Sequence, residues 1–302
     1  MKYPYVKRLS KFEYLAPRTL DKAISLLSQH NGKARLMGGG TDLLLKIKRR
    51  EETPQYLIGL KNIPGLDYID FDEAQGLRFG PLVTIHAIET SPLIRDRFPI
   101  LAQAASAIGS AQVRNLGTVV GNLCSAVPSA DMAPGLIVLG ANLRIASIKG
   151  ERTIAVEEFF TAPGQSALAR NELVVEVQVP NPPPYSGMVY IKHAVRSAME
   201  LAIVSVAAIV TLQDSVCSEV KIALGAVAPT PIRAPKAENL LRGKPLGAEL
   251  LRQAAEVASE ECKPISDIRG SAEYRKEMVR VLTQRALNQA KEEASEKFLK
   301  VD

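Results

Sequence analysis

Apolar and polar residues alternate in short blocks that predict a mixture of helices and strands. Thr19 is a favourable N-cap for a first helix, which Asn31-Gly32 would end. The apolar residues of this helix recur at helical spacing and are Leu20, Ala23, Ile24 and Leu27. Short apolar runs bounded by turn residues predict strands at 34–37, 56–60, 77–80, 143–147 and 173–179. The N-terminal segment, up to about residue 65, therefore reads as a small α/β unit.

Further helices are predicted from Thr84 and from about Pro99, and the glycine-rich stretch 117–140 reads as a functional loop followed by a helix. After residue 184 the pattern predicts strands at 188–192, 202–212 and 219–227 and helices at 248–261 and 272–297. The proline run 180–184 can join neither a sheet nor a helix interior. We therefore expect one domain over 1–180, with subdomains of about 1–62 and 63–180, and an α+β domain over 185–302.

Composition excludes several classes of protein. With 302 residues, 46% hydrophobic and 23% charged, the chain can bury a core and is not generally disordered. No apolar run reaches the ~18 residues of a membrane span, and the N-terminus shows no apolar secretory segment, so we expect a soluble, cytoplasmic protein. The three cysteines lie far apart without CxxC spacing, which argues against a disulfide framework, a zinc site or an iron–sulfur cluster.

The net charge of +6 raises the question of a nucleic-acid partner. The only dense basic stretch, residues 46–50, is followed at once by two glutamates. Single-strand binding needs aromatic platforms, and the chain has no Trp and only 5% aromatic residues. A solvated helix face near a bound anion explains the basic stretch better.

The glycine run 38–40, followed by Thr41 and Asp42, lies between a predicted strand and a probable helix start. Without side chains, several backbone N–H groups can point at one anion, and Thr41 adds a hydroxyl. Asp42 has the wrong charge for that role, so it would cap the helix or meet a ribose. The run matches neither a Walker A loop nor GxGxxG, and a plain turn remains an alternative.

A second glycine-containing stretch covers residues 112–124. Thr118 and Asn122 can hydrogen-bond a cofactor, Gly121 allows close approach of the chain, and Asp131 can accept from ribose or ring N–H groups. Two separated glycine segments, with no catalytic dyad near either, indicate an extended dinucleotide held between two subdomains. This pattern alone does not specify a flavin.

Several segments together resemble the FAD-binding, or medium, subunit of molybdenum hydroxylases. The resemblance is carried by residues 36–43, 114–131, 188–196, 227–233 and 269–271, in this order. The family includes bacterial xanthine dehydrogenase FAD subunits and carbon monoxide dehydrogenase medium subunits. It implies an α+β protein: a two-subdomain FAD-binding PCMH-type fold, similar to that of vanillyl-alcohol oxidase, followed by a family-specific α+β C-terminal domain.

The resemblance also implies which residues bind FAD. The glycine run and its neighbours would wrap the pyrophosphate. These residues are Leu36, Met37, Gly38, Gly39, Gly40, Thr41, Asp42 and Leu43. The second cofactor loop would be Thr118, Val119, Val120, Gly121 and Asn122. Ile108 would lie near the flavin end and Val174 near the isoalloxazine, while Asp131 would bind the cofactor further along. Lys192 would approach the flavin, where its charge would stabilise the reduced anionic form.

Two departures from the family pattern matter. Val120 stands where the family usually has glycine, and a valine does not easily adopt φ > 0. Either the loop does not need that conformation, or it is slightly displaced. Family members with an additional iron–sulfur cluster carry a cysteine-rich insert between the equivalents of Asn122 and Asp131, which here are separated by an uninterrupted segment. We therefore predict no such cluster and no metal ligand in this chain.

The function implied by the resemblance is electron transfer within a larger complex. FAD would pass electrons from [2Fe-2S] clusters of a small subunit to an acceptor (NAD, a quinone, a carrier protein or oxygen), and hydroxylation would occur at molybdopterin in a large subunit. No side chain of this chain is then expected to be catalytic. The alternatives are a self-contained FAD-dependent oxidoreductase of the same fold and a non-enzymatic nucleotide- or nucleic-acid-binding module. The sequence leaves the substrate, the acceptor and the stoichiometry open.

Overall fold

The N-terminal part of the chain forms a small parallel sheet flanked by helices. The computed structural model describes residues 9–196 and 198–299. The first elements are β1 (Glu13–Leu15), α1 (Leu20–Gln29), β2 (Ala34–Met37), α2 (Leu43–Arg49) and β3 (Tyr56–Gly59). The strands pair in the order β1-β3-β2. Thr19 caps α1 as predicted, because its hydroxyl accepts from the Lys22 backbone N–H at 3.2 Å.

The middle part combines an antiparallel sheet with a group of short helices. Its elements are β4 (Ile69–Asp72), β5 (Gly76–Phe79), α3 (Ile85–Thr90), α4 (Pro92–Arg97), α5 (Pro99–Ser106), α6 (Ala111–Leu116), α7 (Val119–Ser125), α8 (Met132–Val138), β6 (Asn142–Ser147), β7 (Gly150–Ala155), β8 (Phe160–Ala162), β9 (Gln165–Ser166) and β10 (Leu173–Val179). Five strands form the sheet β4-β5-β10-β6-β7, while β8 and β9 pair with each other. The short helices pack into a core with this sheet.

The C-terminal part is a four-stranded antiparallel sheet with three helices. Its elements are β11 (Ser186–His193), β12 (Val204–Gln213), β13 (Val216–Gly225), β14 (Ile232–Arg233), α9 (Pro235–Leu241), α10 (Ala248–Glu261) and α11 (Ala272–Leu299). The strands pair in chain order. Although α11 has 28 residues, no helix in the described ranges is long and apolar enough to cross a membrane.

Strand β12 is apolar along almost its whole length because both of its faces are covered. Val206 and Ala208 belong to the C-terminal core, together with side chains of α10 and α11. Ala207 and Ile209 point to the opposite face and pack into the core of the middle part, where α8 contacts the strand. An antiparallel strand buried on one face alternates apolar and polar residues. Here the second covering layer removes the alternation.

The stretch 117–140 was predicted as a loop followed by a helix, and the first half of that prediction is wrong. Helix α7 begins directly after Thr118, whose hydroxyl accepts from the Gly121 backbone N–H at 3.0 Å. Val120 lies in this helix and packs into the core. The φ of Val120 is not positive. The segment therefore does not need the left-handed conformation that favours glycine, and the valine expected to be a departure fits here.

Candidate cofactor site

A cavity of about 300 Å³ lies where the two glycine-containing segments meet. Residues 36–43 form one side, and Ile108, Thr118, Gly121 and Asn122 are among those that form the other. The fold thus brings together most of the residues expected to bind FAD, although the outermost of them, Leu36 and Asn122, are 86 positions apart in the chain. Val119, Val120, Asp131, Val174 and Lys192 lie outside the cavity wall.

The first segment presents a row of free backbone donors. Among the hydrogen bonds of the described residues, none is donated by a backbone N–H of residues 38–43. The segment leaves β2 after Met37 and turns at Gly40, where φ is +77°. Such consecutive N–H groups form an anion-binding concavity. The arrangement fits a pyrophosphate, because neighbouring N–H groups can donate to several oxygens at once.

Gly39 is the point where the two segments touch. A Cβ atom at this position would lie 1.9 Å from the carbonyl oxygen of Leu116 and 2.9 Å from the Cα of Gly117. Both neighbours are backbone atoms, so no side-chain rotation could make room. Glycine is therefore required here by the close approach of the two segments, in addition to the access that it gives to a ligand.

A hydrogen bond between Asp42 and Ser125, the residue that follows the second segment, makes another connection between these regions. The Ser125 Oγ donates to the Asp42 Oδ2 at 2.6 Å, and both residues line the cavity. Asp42 makes no side-chain bond to the start of α2, so the predicted capping is wrong, whereas a contact with ribose stays a prediction. Ser125 was missed in the sequence because nothing in its local pattern shows that it faces Asp42.

Asn122 and Thr118 are fixed by local hydrogen bonds. The Oδ1 of Asn122 accepts from the backbone N–H of Met132 at 3.3 Å, which leaves its Nδ2 donors without a protein partner among the described residues. The hydroxyl of Thr118 is used by the helix cap of α7, and Thr118 itself is almost fully buried. Asn122 can therefore donate to a ligand, whereas Thr118 shapes the wall.

Asp131, Tyr190 and Lys192 form a buried cluster between the middle and C-terminal parts. The Asp131 carboxylate accepts from the Tyr190 hydroxyl at 2.7 Å and from the Lys192 Nζ at 2.8 Å. Burial raises the pKa of Asp131, and the nearby positive charge of Lys192 opposes this shift. Burial and the Asp131 charge raise the pKa of Tyr190 well above its ordinary value. Both oxygens of Asp131 thus have protein partners, and its direct contact with a cofactor stays a prediction.

Lys192 faces a second cavity, of about 380 Å³. Its Nζ also donates to the carbonyl oxygen of Ala107 at 2.9 Å. Ala107 lines the second cavity together with residues of the segment 193–200. The residue after Ala107 is Ile108, which lines the first cavity. Lys192 therefore contacts the chain directly beside the predicted flavin end of that cavity.

The remaining predicted residues are part of the core. Val174 in β10 and Val119 and Val120 in α7 are each less than a tenth exposed and pack in the hydrophobic core of the middle part. Val119 and Val120 lie in the same helix as the wall residues Gly121 and Asn122. The contact of Val174 with the isoalloxazine, and that of Val119 and Val120 with the cofactor, stay predictions.

The cavity wall also contains residues that were not among those predicted to bind FAD. Arg35 and Glu52 form an ion pair of 2.9 Å, and Lys46 belongs to the basic stretch that we expected near a bound anion. Cys124 lines the cavity as well, and burial raises the pKa of its thiol to about 12. The thiol is therefore neutral at physiological pH and is not a nucleophile.

The sequence matches two known protein-family models. The model described as FAD binding domain in molybdopterin dehydrogenase matches residues 10–182. The model described as CO dehydrogenase flavoprotein C-terminal domain matches residues 189–290. The first match contains both glycine segments, and the second contains Tyr190 and Lys192.

Individual relatives match over nearly their whole length. A putative xanthine dehydrogenase FAD-binding subunit of Escherichia coli is 32% identical over 278 residues, which are 92% of this chain and 95% of that protein. The carbon monoxide dehydrogenase medium chain of Hydrogenophaga pseudoflava is 33% identical over 280 residues, 93% of this chain and 97% of that protein. A solved structure of carbon monoxide dehydrogenase from the same organism superposes with a TM-score of 0.91, at 33% identity, covering 95% of this chain and 99% of that chain.

Proposed function

Because the chain belongs to the family of FAD-binding subunits of molybdenum hydroxylases, we propose that it carries electrons, through bound FAD, from the iron–sulfur clusters of a partner subunit to an acceptor. FAD is its cofactor, and the chain is an oxidoreductase subunit of a heteromeric complex. Location in the cytoplasm remains a prediction.

The observation that carries the proposal is that residues 38–43, whose backbone N–H groups donate no hydrogen bond within the described residues, line the cavity between the two glycine segments. Bound FAD supplies the redox chemistry, and the protein supplies position and electrostatics. Residues 38–43 would hold the pyrophosphate, while Asn122 would donate to a polar group of the cofactor. Ile108 would close the wall at the flavin end.

Lys192 would place a positive charge near the flavin end without lining the first cavity itself. Its two hydrogen bonds, to Asp131 and to the Ala107 carbonyl, fix the ammonium group between the parts of the chain. The Asp131 carboxylate, 2.8 Å from the Nζ, offsets part of this positive charge. The remaining positive potential would stabilise negative charge on a reduced flavin within a few ångströms, which is the role that the family resemblance implies for Lys192.

The partners that we propose are a molybdopterin-binding large subunit and a [2Fe-2S] small subunit. Several relatives, such as the carbon monoxide dehydrogenase medium chain and the nicotine 6-hydroxylase medium subunit, are named as the medium-sized member of a set of subunits. Substrate hydroxylation would then occur in the large subunit, and this chain would need no catalytic side chain.

An absorption spectrum of the purified chain, followed by chromatography of the acid-released cofactor, tests cofactor binding first. We expect a flavin spectrum and intact FAD at about one per chain. A colourless protein that takes up no added FAD would contradict the proposed site.

Gly39→Ala tests whether the cavity described above is the FAD site. The added methyl group must displace the backbone at Leu116, so we expect FAD to be lost or bound at least tenfold more weakly. Gly247→Ala is the matched control, because no atom lies within 4 Å of its added Cβ and its φ is −80°. Equal FAD content in both variants would contradict the assignment.

Turnover measurements separate the proposed role from that of a self-contained oxidoreductase. The purified flavoprotein alone should oxidise no substrate, whereas the complex with its partner subunits should reduce an acceptor. A small-molecule substrate oxidised by this chain without partners would favour the self-contained enzyme.

A further inference from the structure

The turn formed by residues 107–109 is held by three hydrogen bonds to three successive carbonyl oxygens. The Ala107 oxygen accepts from the Lys192 Nζ at 2.9 Å. The Ile108 oxygen accepts from the Arg114 Nη1 at 2.9 Å. The Gly109 oxygen accepts from the Met199 backbone N–H at 3.0 Å. The donors come from β11, from α6 and from the segment 194–200, so the turn is fixed from three sides.

This turn contributes to the walls of both cavities. Ile108 lines the first cavity and Ala107 lines the second. The turn follows α5 and ends at Gly109, whose φ of +51° lets the chain reverse direction before α6. A small shift of this backbone would therefore change the shape of both cavities.

Of the three donors, Lys192 and Arg114 act through their side chains, and Met199 acts through its backbone. Only Arg114 lies in the same part of the chain as the turn. Its Nε donates to the Glu89 Oε2 at 2.7 Å, while its Nη1 reaches the Ile108 oxygen. The Arg114 and Glu89 side chains are only 16% and 17% exposed. A guanidinium offers several donors in one rigid plane, so the carboxylate fixes the direction in which Arg114 meets the carbonyl.

We propose that Arg114 is a positioning residue for the cofactor, which holds the Ile108 carbonyl so that the Ile108 side chain stays in the wall at the flavin end. Glu89 orients Arg114 from α3. This proposal rests on the proposed FAD site. Lysine cannot replace the arginine fully, because a single ammonium group does not reproduce the planar fork that bonds Glu89 and Ile108 together.

The test uses the full chain, stripped of flavin and titrated with FAD. For Arg114→Met we expect the dissociation constant of FAD to rise about tenfold, equivalent to about 1.4 kcal/mol, because a charge-assisted hydrogen bond at the wall is lost. The visible circular dichroism of bound flavin at saturating FAD should also change, since Ile108 moves. Arg114→Lys should lie between the parent and Arg114→Met in both measurements.

Two further variants separate positioning from general stability. Arg252→Met removes an exposed arginine that pairs with Glu249 and Glu256 on its own helix, and it should bind FAD as the parent does. Glu89→Gln keeps Arg114 but removes its carboxylate partner, and we expect about a threefold weaker FAD affinity with the same change in circular dichroism. Thermal unfolding of each flavin-free variant shows the effect on stability.

The proposal is overturned if Arg114→Met binds FAD within twofold of the parent and keeps its circular dichroism, whatever its melting temperature. If Arg114→Met does not fold, Arg114→Lys and Glu89→Gln decide in the same way, because unchanged affinity and spectrum in both would overturn it. A parent chain that binds no FAD would instead contradict the proposed function.

Discussion

At the scale of single residues, the cluster of Asp131, Tyr190 and Lys192 is the most consequential polar group between the parts of the chain. The side chains of Asp131 and Lys192 are only 8% and 9% exposed. Two buried opposite charges stabilise a fold only while both are present, since removal of one leaves the other uncompensated.

Lys192→Met should therefore destabilise the protein by about 3 kcal/mol near neutral pH, a typical cost of leaving a buried charge without its partner. Burial already raises the pKa of Asp131, and loss of the lysine raises it further. A carboxyl whose pKa is higher in the folded than in the unfolded state stabilises the fold fully below its unfolded pKa. This contribution is lost as the pH rises through the folded pKa.

Urea unfolding at pH 5 and pH 8 measures this effect. The control is the double variant Asp131→Asn/Lys192→Met, in which the pair no longer titrates. Lys192→Met should lose stability relative to the double variant as the pH rises. A constant difference between the two variants would show that Asp131 does not respond to the loss of its partner.

Residue types and spacing identified much of the cavity wall in advance. Glycine at 38–40 and the amide of Asn122 are chemically recognisable, and these residues line one cavity, whereas their contact with FAD stays a prediction. Ser125 bonds the side chain of Asp42, which is distant in the chain. Arg114 bonds the backbone oxygen of Ile108, so the identity of the Ile108 side chain gives no sign of the contact. Such partners become visible only when tertiary structure is known.

At the scale of elements, α11 packs unusually closely on β11. The helix is mostly polar, and its buried face includes the alanines 286, 290 and 294 at four-residue spacing. Opposite them lies Gly187, where a Cβ would be 1.9 Å from the Ala290 carbonyl oxygen and 2.7 Å from the Ala294 nitrogen. Helix and strand are in backbone contact here, so small residues are required on both elements.

Gly187→Ala should therefore push α11 away from the sheet and destabilise the protein by about 1–3 kcal/mol, the usual cost of overpacking. The midpoint of urea unfolding measures the change, and Gly247→Ala is again the control with free space. If Gly187→Ala unfolded at the parent's urea concentration, the helix could yield without cost, contrary to this interpretation.

The elements that were predicted well have local signals. Helix α1 has a capping threonine and regular apolar spacing, and β12 is a long apolar run. Helix α7 was read as a loop because it has only seven residues and contains Gly121 and Asn122, both poor helix formers. Its stability comes from the Thr118 cap and from burial of Val119 and Leu123, which the local sequence does not reveal.

At the scale of the whole molecule, the C-terminal sheet is shared by two cores. Helices α5 and α8 of the middle part pack on β11, β12 and β13. The C-terminal residues that enter the core of the middle part are Met188, Tyr190, Ala207, Ile209 and Ala223. The domain boundary near residues 180–184 stays a prediction, and the depth of the contact between the two parts depends on which face of each strand is turned towards α5 and α8.

A fragment of residues 9–184 should consequently aggregate and bind a hydrophobic dye, because α5 and α8 would lose their covering sheet. Size-exclusion chromatography and dye fluorescence measure this. Addition of a fragment of residues 185–302 should reduce the dye signal. A monomeric 9–184 fragment that unfolds cooperatively and keeps FAD would refute the expectation.

The doubly covered strand β12 also constrains how new members of this family can be made by recombination. A crossover in the proline run 180–184 separates the domains in the chain, but it does not separate the two sets of contacts on β12. A hybrid of two relatives would keep the inner face of one parent, at Ala207 and Ile209, against α8 of the other. Successful hybrids must therefore take Ala207 and Ile209 from the same parent as α5 and α8, although these two residues lie on the other side of the crossover.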